Sequence, residues 1–351
     1  MSWEENVRRV VPYVPGEQPK EQNIIKLNTN ENPYPPAPAV EEVLRTFGTE
    51  ELRKYPDPTV GSLIGALSDT YQVPADQIFV GVGSDDVLAM SFLTFFHGKK
   101  PILFPDITYS FYDVWAQEFE IPYETKALKE DFSIDPVDYM GANGGIVIPN
   151  PNAPTGLEAR RDTIEMIVAS NPDSVVIIDE AYVDFGGESV LPLIERYDNL
   201  LVVMTFSKSR SLAGSRIGFA MGSKKLIGYL NDVKYSFNSY TMDRLTMAVG
   251  CAALSDHAYF LDCCKRIVAT REWTKQELSA LGFSFPDSHT NFIFAKHKTW
   301  NAKQLFTDLK AAGIYVRYFD KPRINEYLRI SIGTDEEMKA LIDFLKNYQQ
   351  A

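Results

Sequence analysis

The chain has 351 residues and is 45% hydrophobic, ample for a large core in one big domain or two unequal ones. With 35 basic and 47 acidic residues the net charge is −12, which argues against nucleic acid or an anionic membrane as the main partner. It does not exclude a small anionic substrate, because a local basic pocket can override the global field.

The N-terminus, "MSWEENVRRVV", has no apolar stretch of signal-peptide length. No apolar run approaches the ~18–20 residues of a membrane span. The following "VPYVPGEQPKEQNIIKLNTNENPYPPAP" is rich in Pro, Asn and Glu and reads as an extended arm over residues 1–30. From about Gln77, β-rich runs alternate with helical spacing: "QIFVGVG", "KPILFP", "IPYET", "GGIVIPN", "SVVIIDE" and "NLLVVMTF". Between them lie "SDDVLAMSFLTFFHG" and "LEARRDTIEMIVASN", both helical in pattern. Apolar runs buried on both faces and separated by helices imply a mainly parallel sheet in an α/β large domain, assigned to residues 31–248.

The run "RIGFAMG" follows too soon for a helical crossover, so it is expected to lie antiparallel to its predecessor. After about Cys251 comes a long helical stretch. Then follow "TNFIFAK", a helix near "AKQLFTDLKAAG", "IYVRYF", "YLRISIG" and a last helix from Asp335, read as a smaller α+β domain over 249–351. The cysteines Cys251, Cys263 and Cys264 show neither zinc nor disulfide spacing and read as buried thiols in a reducing, cytoplasmic compartment. His97, His257, His289 and His297 show no metal-ligand spacing, and no metal is expected.

Ligands of open α/β sheets collect at the carboxyl ends of the strands. Asn152 follows "GGIVIPN", Asp179 and Glu180 end "SVVIIDE" with Tyr182 next, and Ser207 and Lys208 follow "NLLVVMTF". Gaps of 27 residues from Asn152 to Asp179 and 29 from Asp179 to Lys208 each suit one strand–helix–strand unit. In "VGVGSDDVLAMSF", Gly83 frees a turn, Ser84 or Asp85 would cap a helix, and the exposed N–H groups favour a phosphate. Gly81 and Gly83 resemble the opening of a dinucleotide fingerprint, but Asp86 stands at its third glycine, which weakens a nicotinamide dehydrogenase reading.

Taken singly, these features have plainer readings: a surface lysine, a helix cap or magnesium-binding acid pair in "DEAY", a proline-rich turn in "NPNAPTG". Together they suit pyridoxal 5′-phosphate (PLP), which needs a lysine for its Schiff base and an acid opposite its ring nitrogen. Lys208 would be the anchor and general base, and Asp179 the ring-nitrogen partner. Asn152 and Tyr182 would bond the phenolic oxygen. Ser84, Asp85 (through its backbone), Ser207 and Arg216 would hold the phosphate.

The motifs "NPNAPTG", "DEAYVDF" and "TFSKSRSLAGSRIGFA" resemble those of fold type I PLP-dependent aminotransferases. "LNTNENPYPP", "RKYPDP", "GVGSDDVL", "TYSFY" and "YLRISIGT" are similar to the histidinol-phosphate aminotransferase subgroup, over about Leu27 to Gly333. The resemblance implies a seven-stranded large-domain sheet. It also implies that Tyr109 stacks on the cofactor ring and that Tyr55 reaches the neighbouring subunit's phosphate site in a homodimer. Arg329 would grip the substrate α-carboxylate. Tyr13 and Arg317, with Tyr235 and Asn238, would lie near its distal end. Val82, Asp86, Ile107 and Ala153 depart from residues common in the family.

The implied activity is transamination between histidinol phosphate and 2-oxoglutarate. A threonine-phosphate decarboxylase or an aromatic aminotransferase would use the same cofactor residues, and a PLP-binding sensor is the non-enzymatic alternative.

Overall fold

The computed structural model describes residues 2–21 and 23–348. In chain order the first elements are β1 (Ile25–Lys26), α1 (Pro38–Thr46) and α2 (Gly61–Tyr71). Next come β2 (Ile78–Gly81), α3 (Ser84–Phe95), β3 (Ile102–Pro105), α4 (Tyr112–Glu118) and β4 (Tyr123–Lys126). They are followed by β5 (Gly145–Pro149), α5 (Arg161–Ala169), β6 (Val176–Asp179), β7 (Leu200–Thr205) and β8 (Gly218–Gly222). Helices α6 (Lys224–Phe237), α7 (Arg244–Ser255) and α8 (His257–Ala280) lead to β9 (Phe283–Ser284) and β10 (Phe292–His297). The last elements are α9 (Ala302–Ala311), β11 (Ile314–Tyr315), β12 (Arg317–Tyr318), β13 (Leu328–Ser331) and α10 (Asp335–Asn347).

Seven strands form the main sheet in the order β2-β8-β7-β6-β5-β3-β4. Strand β8 is antiparallel to both of its neighbours and the other pairs are parallel, as the short connection before "RIGFAMG" predicts. The central strands are apolar throughout because both faces are covered. Ile146, Ile148, Val176, Ile178, Leu200 and Val202 pack into one buried cluster, and their alternates Val147, Ile177, Leu201 and Val203 into another. Truncating one of these isoleucines or leucines to alanine should cost roughly 2–5 kcal/mol.

The second sheet is β12-β13-β10-β9, antiparallel, covered by a cluster that includes residues of α8, α9 and α10. Helix α10 starts with a full capping box between Thr334 and Glu337.

Four local expectations are corrected. The arm is a packed strand at its end: β1 pairs with β11, and Leu27 is buried in the small-domain cluster. "IYVRYF" splits at buried Val316, its first half joining β1 and its second joining β13. The long helical stretch breaks at Asp256, whose side chain accepts from the Tyr259 N–H and caps α8. The crossover from β6 to β7 holds only two short 3₁₀ turns. Gly186, with φ +107°, and Pro192 interrupt any longer helix there.

Candidate active site

The carboxyl ends of the parallel strands meet the start of α3. Gly83, at φ +89°, is the residue before α3, and the helix has no side-chain cap of its own. Neither Ser84 nor Asp85 caps it as expected. Asp86 instead accepts from the Val82 N–H at 2.8 Å and braces the turn. The first residue of β8, Gly218, lies so close to this turn that a Cβ would fall 2.2 Å from the Ser84 nitrogen.

A cavity of about 160 Å³ opens at this edge. Lys208, Asp179, Tyr182 and Tyr109 line it, with Ser84, Asp85, Ser207 and Arg216 at the α3 end. The amine at 208 and the acid at 179 thus face one space. The Lys208 Nζ lies 3.4 Å from the Thr29 carbonyl and 5.7 Å from the centre of the Tyr182 ring.

Burial pushes the Asp179 carboxyl up to about 6, although the Tyr112 hydroxyl and the Ala181 N–H donate to it. Burial and the neighbouring carboxylates hold the Tyr112 and Tyr109 hydroxyls well above their ordinary value, so both stay protonated donors. Arg216, at φ +53°, donates to Asp85 at 3.1 Å and to Ser207 at 3.5 Å. The Asp85 side chain, for which no role was expected, also accepts from Tyr109 at 2.8 Å.

Other expected residues lie around this cavity. Asn152 borders an adjacent space of about 210 Å³, and its amide donates to the Ile107 carbonyl and to Thr155. Tyr13 and Arg317 line a larger neighbouring cavity of about 520 Å³, where Tyr13 stacks on Phe111 at 4.0 Å. Arg329 donates to the Asn28 carbonyl, and its buried Nε has no hydrogen-bond partner. Burial lowers its pKa, as does Arg317, while Tyr182 opposes the shift.

Tyr55, Tyr235 and Asn238 line none of these three cavities. Tyr55 is 80% exposed and sits against Tyr240, Tyr235 reaches the Pro58 carbonyl, and Asn238 ends α6. The sequence reading missed Tyr112, Asn30 and Glu31. A tyrosine in an apolar helix needs a polar partner, but nothing local says which. Glu31 lines the Lys208 cavity, and Asn30 bonds Tyr182.

A model of the aminotransferase class I and II family matches residues 22–345. The chain belongs to this family. It is 52% identical over 344 residues to the histidinol-phosphate aminotransferase of Chromohalobacter salexigens, covering 98% of each chain. It is 51% identical to that of Lactococcus lactis subsp. cremoris, covering 99% of this chain and 98% of the relative. The structure of histidinol-phosphate aminotransferase from Sinorhizobium meliloti, in complex with pyridoxal-5'-phosphate, shares the fold at a TM-score of 0.84 and 24% identity, covering 92% of this chain and 89% of that one.

The donor set suits PLP. A buried carboxyl with a raised pKa calls for a cationic partner such as a protonated ring nitrogen. A guanidinium, a hydroxyl and helix-start N–H groups call for a phosphate. Lys208 lines the same cavity as both groups, and an amine is the side-chain chemistry an aldehyde takes.

Proposed function

We propose that the protein is a PLP-dependent histidinol-phosphate aminotransferase, moving an amino group between histidinol phosphate and 2-oxoglutarate to give imidazole-acetol phosphate and glutamate. Full-length identity near 50% to relatives of that name supports the substrate. The structural observation that carries it is the pair Arg317 and Arg329, opposite each other on β12 and β13, one lining the outer cavity and the other near Tyr182. Two cations side by side suit substrates with anionic groups, a phosphate and a carboxylate.

PLP supplies an electron sink for bonds at the substrate Cα. Lys208 would hold it and, once released, carry the Cα proton. Asp179, held by Tyr112 and Ala181, would keep a proton on the ring nitrogen. Tyr182 and Asn152 would serve the phenolic oxygen, and Tyr109 would stack on the ring. Arg216, Ser207 and the Ser84–Asp85 backbone would hold the phosphate. Arg329 would bind the α-carboxylate, and Arg317 and Tyr13 the distal phosphate.

We also propose a homodimer in which Tyr55 serves the partner's phosphate site, with Tyr235 and Asn238 nearby. The exposed side chains of Leu52, Tyr55, Phe237 and Tyr240 support it, with the Tyr55 and Tyr240 rings 4.9 Å apart. Among the described residues no helix is long and apolar enough to cross a membrane. A cytoplasmic location is part of the same reading.

The test is to assay the purified protein with histidinol phosphate and 2-oxoglutarate, and separately for carbon dioxide release from threonine phosphate. Glutamate formation without carbon dioxide release is expected. The converse result would replace the reading with a decarboxylase.

A further inference from the structure

Tyr182 does not stand alone in the cavity wall. Its ring is held edge-on by Phe292, with centroids 5.2 Å apart at 89°. Its hydroxyl accepts a hydrogen bond from the Asn30 amide nitrogen at 2.9 Å. The Asn30 carbonyl oxygen in turn accepts from the Ser331 hydroxyl at 2.9 Å, and Ser331 Oγ accepts from the Asn30 backbone N–H at 2.9 Å. Asn30 and Ser331 are 1% and 2% exposed, so water does not substitute for these bonds.

Donor and acceptor counting fixes the direction of every proton here. The backbone N–H of Asn30 can only donate, so it takes a lone pair of Ser331 Oγ. The serine's own proton then needs an acceptor, and the Asn30 side-chain carbonyl is the one it meets. Turning the amide over would aim its NH₂ at Ser331 Oγ and take away the acceptor that the serine proton meets. The amide NH₂ therefore faces Tyr182. A tyrosine oxygen that already accepts has its own proton free to donate elsewhere, and the Lys208 cavity is the space it borders.

We infer that Asn30, locked by Ser331, is a positioning residue that forces the Tyr182 hydroxyl to act as a donor toward the cofactor's phenolic oxygen. The inference rests on the PLP reading above. Asn30 is at φ +57°, a backbone state that asparagine and aspartate tolerate and most residues do not. Its backbone carbonyl accepts from the Asn291 side-chain amide at 2.9 Å, so the residue is gripped on three sides.

The relay has a second consequence. Ser331 and Arg329 lie two residues apart on β13 and so share a face of the strand. The segment before Asn30 runs along the same strand: Arg329 donates to the Asn28 carbonyl, and the Ser331 N–H to the Leu27 carbonyl. One strand therefore carries both the arginine proposed for the substrate carboxylate and the hydroxyl that starts the relay.

Asn30→Asp tests this. A carboxylate in the same place keeps the Ser331 bond but can only accept, so it would draw the Tyr182 proton away from the cavity. Less donation leaves more negative charge on the phenolic oxygen beside the Lys208 nitrogen, which then holds its proton to higher pH. The readout is the pH midpoint of the visible absorbance of the PLP-loaded protein. The charged and titratable groups that share the cavity with Lys208 are Glu31 before α1, Asp85 on α3, Tyr109 before α4, Asp179 on β6, Tyr182 just after it and Arg216 before β8.

Tyr182→Phe should raise the midpoint. Asn30→Asp should raise it by a comparable amount, about half a unit or more, and add little in the Tyr182→Phe background. Ser331→Ala, which introduces no charge, should move it the same way by less, and it keeps the test open if Asn30→Asp does not fold. An Asn30→Asp shift of full size in the Tyr182→Phe background would be a through-space charge effect and would overturn the relay. So would wild-type midpoints in both Asn30→Asp and Ser331→Ala. If wild-type protein gains no visible absorbance with PLP, the functional reading fails first and the relay falls with it.

Discussion

Arg317 and Arg329 stand directly opposite each other across the antiparallel pair β12 and β13, and each guanidinium carbon lies 5.6 Å from the centre of the Phe319 ring. Like charges in register destabilise a sheet. The ring face relieves part of this, and a doubly anionic substrate would relieve the rest. Arg329→Ala should raise KM for glutamate and 2-oxoglutarate by roughly 10²-fold, the loss of a bidentate charge-assisted pair. Arg317→Gln should raise KM for histidinol phosphate far more than for glutamate. It should leave the ligand-free protein as stable as before or more stable by about 0.5 kcal/mol. Steady-state kinetics and thermal melts check both, and equal effects of Arg317→Gln on the two substrates would count against the division of roles.

Asp179 shows a conflict between function and stability. Its native pKa of about 6 lies above the ordinary value of 3.8 because of burial. A group raised on folding favours the native state below its unfolded pKa, and that contribution is lost as pH rises through the native value. Between about pH 4 and 6, ligand-free wild-type protein should therefore lose stability relative to Asp179→Asn. The gap should be of the order of 2–3 kcal/mol at neutral pH. The same substitution should sharply reduce activity with PLP. Denaturant melts of both proteins at several pH values measure the gap; a constant difference would show that the carboxylate is not destabilised by burial.

The α3 end of the cavity makes a separate claim. Arg216 is held by Asp85 and Ser207 and is proposed to turn its charge toward a phosphate. Arg216→Ala should weaken PLP binding about 10- to 100-fold while sparing pyridoxal, which lacks the phosphate. Equal losses for the two ligands in a binding titration would place the arginine elsewhere.

Much of this was readable from residue order, for a physical reason. A strand covered on both faces must be apolar along its whole length, so β5, β6 and β7 announce themselves, and their last residues mark the ligand edge. Gly83 is forced by its turn. What stayed hidden are contacts between distant segments. Tyr112 reaches Asp179 across 67 residues and Asn30 reaches Tyr182 across 152, and no local pattern encodes such pairings. Strand pairs of two residues, such as β1 with β11, are likewise too short for any periodicity. The Asp256 break was missed because helical spacing continues through it while the cap is a single side chain.

The proposed dimer can be tested by complementation. Lys208→Ala and Tyr55→Ala are each expected to impair both sites of their own homodimer. If Tyr55 serves the partner's site, a mixed dimer holds one site with Lys208 from one subunit and Tyr55 from the other. Refolding the two variants together should then restore activity toward half that of wild type in the mixed dimer. No recovery, with mixed dimers demonstrated by sedimentation and tag capture, would place Tyr55 outside the neighbouring site.

The most direct measurement is chemical. Protein loaded with PLP should absorb visible light, and borohydride should fix the cofactor to one peptide, identified by mass spectrometry as the one bearing Lys208. Lys208→Ala should show neither the band nor the adduct. An adduct on another lysine, or an undiminished band in Lys208→Ala, would contradict the assignment of this amine and the site built around it.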